Sequence, residues 1–451
     1  MKHSSKIFIL SLLSCLAVHL HAQTPKYIFY FIGDGFGLNQ SILAENYLDA
    51  LHQDTQTVHL QMLKMPETGF ATTYSANSYV TCSSAAGTAL ATGVKTNNNM
   101  LGVTPTGIPL RSIAELLHQQ KFLIGLVSTV SLDHATPAAF YANSQSRSSY
   151  EEVARQLLDA NFDFYGGGGL RGATKNPALW DSLKGKGYVV SDDIQVIENH
   201  TLKNGKLYAK SALLMDEQDI PYRLEAPHYP MHLSFYVEQM VRLFEPEQTP
   251  FFAMIEGGKI DWAGHDNDAG AMLHEILEFD SAYQVAYQFY LRHPNETLII
   301  VTADHETGGL SIGTDAKGYA HLPHLLSYQK LPLYQFQEQM DSLIDLKSTF
   351  SDMYKCMADN FGFNTDSELM LSAQDSSSFE TNTFSAKQWR VRCNKLFCDK
   401  LGIGWTTSSH TGVAVPVRAI GAGAEMFRGF YTNSDIPMKI LQLLNFQGNL
   451  N

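Results

Sequence analysis

Cysteine and tryptophan are scarce in this 451-residue chain, at five and four residues. Five cysteines are too few for a disulfide-stapled scaffold. The close pair in "CNKLFC", Cys393 and Cys398, has no second such pair to complete a zinc knuckle. Positive charge is also in deficit: 32 Lys and Arg face 45 Asp and Glu, a formal charge of -13. That balance excludes a nucleic-acid partner as the default reading, because phosphate backbones select basic surfaces. Beyond the N-terminus no apolar run approaches the roughly 18 to 20 residues needed to span a bilayer. Internal repeats and low-complexity tracts are missing, so a solenoid or a compositionally biased chain is excluded.

What is present is an ordinary globular balance, 44% hydrophobic and 17% charged, in a chain long enough for one large domain with insertions or for two. The first 22 residues read as an export signal: Lys2 and Lys6, then apolar "IFILSLLSCLAVHL", then "LHA" before Gln23. Cleavage after Ala22 predicts a mature chain of 23–451, periplasmic or secreted. A lipobox-like "LLSC" ending at Cys15 is the competing site and would anchor the protein. Cleavage after Ala22 leaves Cys82, Cys356, Cys393 and Cys398. An oxidising compartment permits a bridge between Cys356 and the Cys393/Cys398 pair, with the connectivity open.

Several short apolar runs end abruptly in ligand-type residues. "YIFYFIG" runs into Asp34, and "FLIGLVSTV" into "SLDHATP". "PFFAMIEGG" carries Glu256, and "ETLIIVTADHETGG" carries Asp304 and His305. Runs of this kind suit buried parallel strands, and helical patterns such as 272–293 lie between them. The alternation predicts an α/β fold, doubly wound, with a mostly parallel central sheet flanked by helices. Asp after a strand is common turn chemistry, but four strands delivering Asp, Thr, Glu or His at one end is the pattern of a site. Two regions depart from the core. Residues 148–245 include "FYGGGGLRG", which lacks the spacing and lysine of a phosphate loop and reads as a flexible loop. Residues 311–400 show few strand signals and read as an inserted subdomain carrying three of the cysteines.

The chemistry-bearing residues fall in separate segments. Asp261 and His265 in "EGGKIDWAGHDND" are four apart, so one helical turn places them on one face. Asp304 and His305 are adjacent, and both can reach one ion only if the chain leaves strand geometry there, as Thr-Gly-Gly allows. "SSHTG" adds His410, and "SLDHATPAAF" adds Asp133, His134 and Thr136. Three aspartates (34, 261, 304), three histidines (265, 305, 410), Glu256 and Thr136 suffice for two zinc sites and one harder, all-oxygen magnesium site. Paired zinc ions clamp the attacking and leaving oxygens of a displacement at phosphorus. The nucleophile candidates stand in "SYVTCSSAAGTALATGVKTNNN", and Arg147 can supply a planar cation for phosphoryl oxygens.

In order and approximate spacing, "GDGFG", "SSAAGTALATGVKT", "DHATPAA", "EGGKIDWAGH", "TADHETGG" and "HTG" resemble the alkaline phosphatases, over about 27–310 and again near 403–445. The resemblance implies a catalytic domain over 23–451 that hydrolyses small-molecule phosphate monoesters through a phosphoserine, with two Zn2+ and one Mg2+, in a possible homodimer. It implies Ser83 as nucleophile, Ser84 as spacing, and Arg147 as phosphate clamp. Asp261, His265 and His410 would take the first zinc, and Asp34, Asp304 and His305 the second. Asp34 would bridge to magnesium with Thr136 and Glu256. Cys82 stands where many members carry an aspartate that orients the arginine, which leaves Arg147 looser or held by another group. His134 and Trp262, beside the third metal and the phosphate, also differ from other members. A sulfatase reading fails because Cys82 is followed by Ser-Ser-Ala-Ala. The alternatives are a phosphodiesterase or nucleotide pyrophosphatase of the same superfamily, against which Thr136 and Glu256 argue, and a non-catalytic exported metal or phosphate binder.

Overall fold

The computed structural model describes residues 24–377, 379 and 384–446. The predicted export signal and Cys15 lie outside the described residues. Fourteen strands are present among them. The first eight are β1 (Tyr27–Gly33), β2 (Glu67–Thr72), β3 (Leu123–Ser128), β4 (Phe164–Gly167), β5 (Tyr188–Ser191), β6 (Lys206–Lys210), β7 (Phe251–Gly257) and β8 (Thr297–Ala303). Then come β9 (Glu306–Thr307), β10 (Leu310–Ile312), β11 (Ile403–Trp405), β12 (His410–Thr411), β13 (Val415–Gly421) and β14 (Gly429–Thr432).

Ten of these form one sheet in the order β14-β2-β13-β8-β1-β7-β3-β4-β6-β5. Every pairing in it is parallel except those of β13, which runs antiparallel to β2 and β8. The central strands β1, β7 and β8 are buried along their whole length, as expected where helices cover both faces. This is the doubly wound α/β architecture that the alternating runs predict.

Register decides where the chemistry lands. Gly33 pairs with Gly257 on one side and with Ala303 on the other, so β1, β7 and β8 end level. Asp34, Gly258 and Asp304 therefore leave the sheet together, at the carboxyl edge where open α/β sheets place their sites. Glu256 lies one residue inside that edge, opposite Ile32 and Ser128.

One expectation is corrected. "FYGG" is not a flexible loop: it is strand β4, buried at all four residues. Gly167 has φ +110°, and a Cβ there would sit 1.9 Å from the Ser128 carbonyl oxygen; at Gly168 the same atom would meet the Val130 carbonyl at 2.1 Å. The glycines allow the chain to pass β3 without side chains, a packing need rather than mobility. Gly167→Ala is expected to destabilise the fold by about 2 kcal/mol or more, read as a lower denaturation midpoint.

The bridge that an oxidising compartment permits is likewise not formed, and Cys82, Cys356, Cys393 and Cys398 are free thiols. Cys393 and Cys398 lie five apart on the helix Ala386–Leu401. That separates them by about 7.5 Å along the axis and about 140° around it, so they do not bridge one another, and the Cys356 thiol instead donates to Gln339 Oε1 at 3.3 Å. The segment 311–400 is mostly helical, with Leu333–Asp345, Phe350–Phe361 and Ala386–Leu401 packed around Phe336, Phe361, Trp389 and Phe397. The antiparallel pair β10–β11 closes its two ends. Among the described residues no helix is long and apolar enough to cross a membrane.

Candidate active site

Ser83 opens a ten-residue helix, Ser83–Thr92, with Cys82 as its extended N-cap. The run Ala85, Ala86, Gly87 and Ala89 lets this helix pack closely: a Cβ at Gly87 would already stand 3.2 Å from the Thr136 backbone. Ser83 is buried, and its Oγ lies 3.4 Å from an Arg147 guanidinium nitrogen and 3.3 Å from His305 Nε2. Ser84 Oγ faces away, against Cys82 Sγ at 3.1 Å.

Three groups of ligand-type side chains surround this point. In the first, Asp261 and His265 share one face of the helix Lys259–His265, as their spacing predicts, and β12 brings His410 to them. His265 Nε2 lies 3.3 Å from Asp261 Oδ2, and the Nε2 atoms of His265 and His410 are 3.2 Å apart. Both Nδ1 atoms are engaged by backbone carbonyls, those of Ser408 and Thr81, each at 2.7 Å. Carbonyls only accept, so each Nδ1 carries a proton and the two Nε2 atoms turn toward one another and toward Asp261. A proton on His265 or a cation can fill the space between them, and the carbonyls are outer partners of the kind that orient metal-ligating imidazoles.

In the second group the chain does leave strand geometry after Ala303. His305 Nε2 comes within 3.4 Å of Asp34 Oδ1 and 3.1 Å of Asp304 Oδ2, all three side chains being fully buried. The third group joins Asp34 and Glu256 to His134, with Thr136 alongside on the short helix Ala135–Ala138. Sequence reasoning placed His134 beside the third metal and the phosphate; the structure sets it among these carboxylates. Trp262 stands edge-on to the His134 ring, with centroids 5.9 Å apart.

The electrostatics of these groups call for cations. Both Asp34 carboxylate oxygens, one oxygen each of Glu256 and Asp304, and the Thr136 hydroxyl are buried without a hydrogen-bond partner. Buried polar atoms are normally satisfied, and five orphan oxygens in neighbouring groups could serve as cation ligands. Burial and neighbouring carboxylates push Asp34 and Asp304 far above the usual carboxylate range, and burial pushes Glu256 up to about 7. Burial also opposes ionisation of Asp261, yet the surrounding imidazoles hold it low, and Asp261 in turn raises His265 to about 9. So many acids in a dry pocket are tolerated only if protons or bound cations neutralise them.

Arg147 is held by a group the sequence left open. One guanidinium nitrogen lies 2.9 Å from His134 Nε2. Arginine only donates, so Nε2 accepts and the imidazole is neutral, in keeping with burial and Arg147 driving its pKa down to about 3. Further orienting groups escaped sequence reasoning. Thr307 donates to Asp261, Ser128 donates to Glu256, and the Gly35 amide donates to Asp304 at 3.1 Å. Thr307 follows Asp304-His305 within one motif, and that adjacency was the available signal.

A profile described as "Alkaline phosphatase" matches residues 25–446. The chain belongs to the alkaline phosphatase family. It is 32% identical to alkaline phosphatase 4 of Bacillus subtilis over 372 residues, covering 81% of this chain and 77% of that one. Alkaline phosphatase 3 of the same organism is 28% identical over 438 residues, covering 94% of this chain and 90% of its own length. Among solved structures, a cold-active alkaline phosphatase from a psychrophilic Shewanella superposes with a TM-score of 0.80 at 29% identity, over 93% of this chain and 99% of that one. Family and fold together support hydrolysis of phosphate monoesters.

Proposed function

We propose that the protein is an exported, metal-dependent phosphomonoesterase in which Ser83 is the nucleophile. The observation that carries this reading is the convergence of Ser83, Arg147 and three ligand groups on one pocket at the sheet's carboxyl edge. Asp261, His265 and His410 would hold one Zn2+, and Asp34, Asp304 and His305 a second. Asp34, Thr136 and Glu256, with His134 beside them, would hold Mg2+. Imidazole and carboxylate together suit zinc, and the oxygen-rich third set suits a harder cation. When bound, these ions supply Lewis acidity, lowering the pKa of a hydroxyl or water and neutralising charge on phosphoryl and leaving-group oxygens.

The chain's own residues do the rest. Arg147 presents two parallel N–H donors to non-bridging phosphoryl oxygens. The free amides at the start of the helix Ser83–Thr92 add positive potential where the phosphoryl group sits. Ser83 Oγ gives up its proton and attacks phosphorus; the ester P–O bond breaks, and the alcohol leaves as it takes a proton. Water then attacks the phosphoserine, phosphate departs, and Ser83 regains its proton. Ser84, turned toward Cys82, serves packing. Residues 311–400 form, on this reading, a subdomain beside the mouth of the site.

Hydrolysis of p-nitrophenyl phosphate at alkaline pH, set beside bis-p-nitrophenyl phosphate, tests the reading. The monoester is expected to turn over faster. A faster diester would instead indicate a phosphodiesterase, and zinc retention without turnover a binding protein.

A homodimer is part of the proposal. At one edge of the sheet, Phe430 of the edge strand β14 pairs with Phe70 of β2 beside it, and both side chains are exposed, Phe430 to 70%. Light scattering should return twice the chain mass, and Phe430→Glu should return the monomer.

A further inference from the structure

Arg147 lies in a turn, outside any helix or strand. Its guanidinium is tied to His134, but an arginine side chain reaches a defined point only if its main chain is also fixed. The Arg147 amide donates to the Asn99 carbonyl at 2.8 Å, and the Asn99 amide donates to Cys82 Sγ at 3.1 Å. Asn99 spans these two bonds in the left-handed conformation, with φ +71°. Cys82 is locked from its other side, because its amide donates to Asn98 Oδ1 at 3.0 Å. One sulfur thus joins the residue before Ser83 to the loop that holds the main chain of Arg147.

We infer that Cys82 and Asn99 are positioning residues that set the distance between Arg147 and Ser83 by way of this backbone relay. The inference rests on the phosphatase reading above. No other side chain of the structure links the start of the serine helix to the Asn99 amide among the described hydrogen bonds. Asn99 contributes its main chain to the relay and tolerates positive φ better than most residues. The relay acts on phosphate grip rather than on the nucleophile, because the hydrogen bonds of the Cys82 sulfur run to the Asn99 amide and to the Ser84 hydroxyl, not to Ser83 Oγ.

The test uses the metal-loaded full chain hydrolysing p-nitrophenyl phosphate, with inorganic phosphate as competitor. Cys82→Ala is expected to raise KM and the phosphate inhibition constant together by about three- to tenfold, the effect of losing one hydrogen bond, with a smaller change in kcat. Cys82→Ser, which keeps an acceptor, should recover most of the loss. Asn99→Val leaves the sulfur in place but disfavours the left-handed conformation, and should raise the same two constants. Asn99→Gly keeps both backbone groups and that conformation, and should match the wild type. Wild-type turnover with an unmoved inhibition constant in Cys82→Ala overturns this inference alone, as does Cys82→Ser behaving like Cys82→Ala. Absence of wild-type turnover overturns the phosphatase reading with it.

Discussion

Replacing Ser83 by alanine is expected to lower kcat for p-nitrophenyl phosphate by about 10^4-fold or more, the usual scale for deleting a covalent nucleophile. The fold should survive, because Ala is the best helix former and the helix already carries four small residues behind position 83. An unchanged denaturation midpoint would separate lost chemistry from lost structure. Ser84→Ala is the internal control. Among the described hydrogen bonds its hydroxyl meets the Cys82 sulfur, and its carbonyl, which accepts from Thr88 Oγ1, is unchanged by the substitution, so the loss should stay within about tenfold. Equal losses in the two variants would remove the distinction drawn between the serines.

Removal of metal is expected to have the second large effect. Dialysis against a chelator should reduce turnover by at least about 10^3-fold, since several charge-stabilising groups vanish together. Stability should fall too, because the acids and facing imidazoles of the pocket lose their counter-charges. With binding linked to folding at several sites, a drop of about 10 °C in the thermal midpoint is the expected scale. Zinc plus magnesium should restore both readouts, and elemental analysis of the restored enzyme should find two zinc and one magnesium per chain. Full turnover by a chain shown to hold no metal would contradict the assignment.

Much of this site was legible in the sequence because its ligands sit where local geometry is predictable. Asp34 and Asp304 follow strands whose apolar runs end sharply, and the four-residue spacing of Asp261 and His265 fits one helical face. What the chain order could not carry were relations set by tertiary contact. The level ends of β1, β7 and β8 depend on strand register. The Nε2 atoms of His265 and His410 are turned inward by carbonyls of Ser408 and Thr81, which no motif marks. The partner of Arg147 was left open with Cys82 in mind, and proved to be His134 at the guanidinium and Asn99 at the main chain. "FYGGGGLRG" misled for a related reason: glycine content alone does not separate a mobile loop from a strand crossing another backbone at close range. For the cysteines, compartment chemistry permits a bridge without deciding it: the Cys356 thiol is taken by Gln339, and helix geometry keeps Cys393 and Cys398 apart.

The claim beneath all of this is that one particular hydroxyl carries the phosphoryl group between substrate and water. Acid quenching of the metal-loaded protein during turnover, followed by peptide mass spectrometry of residues 78–99, reads that claim directly. A phosphoryl group on Ser83 is the predicted result; one on Ser84, or a peptide bearing none while turnover proceeds, would contradict it.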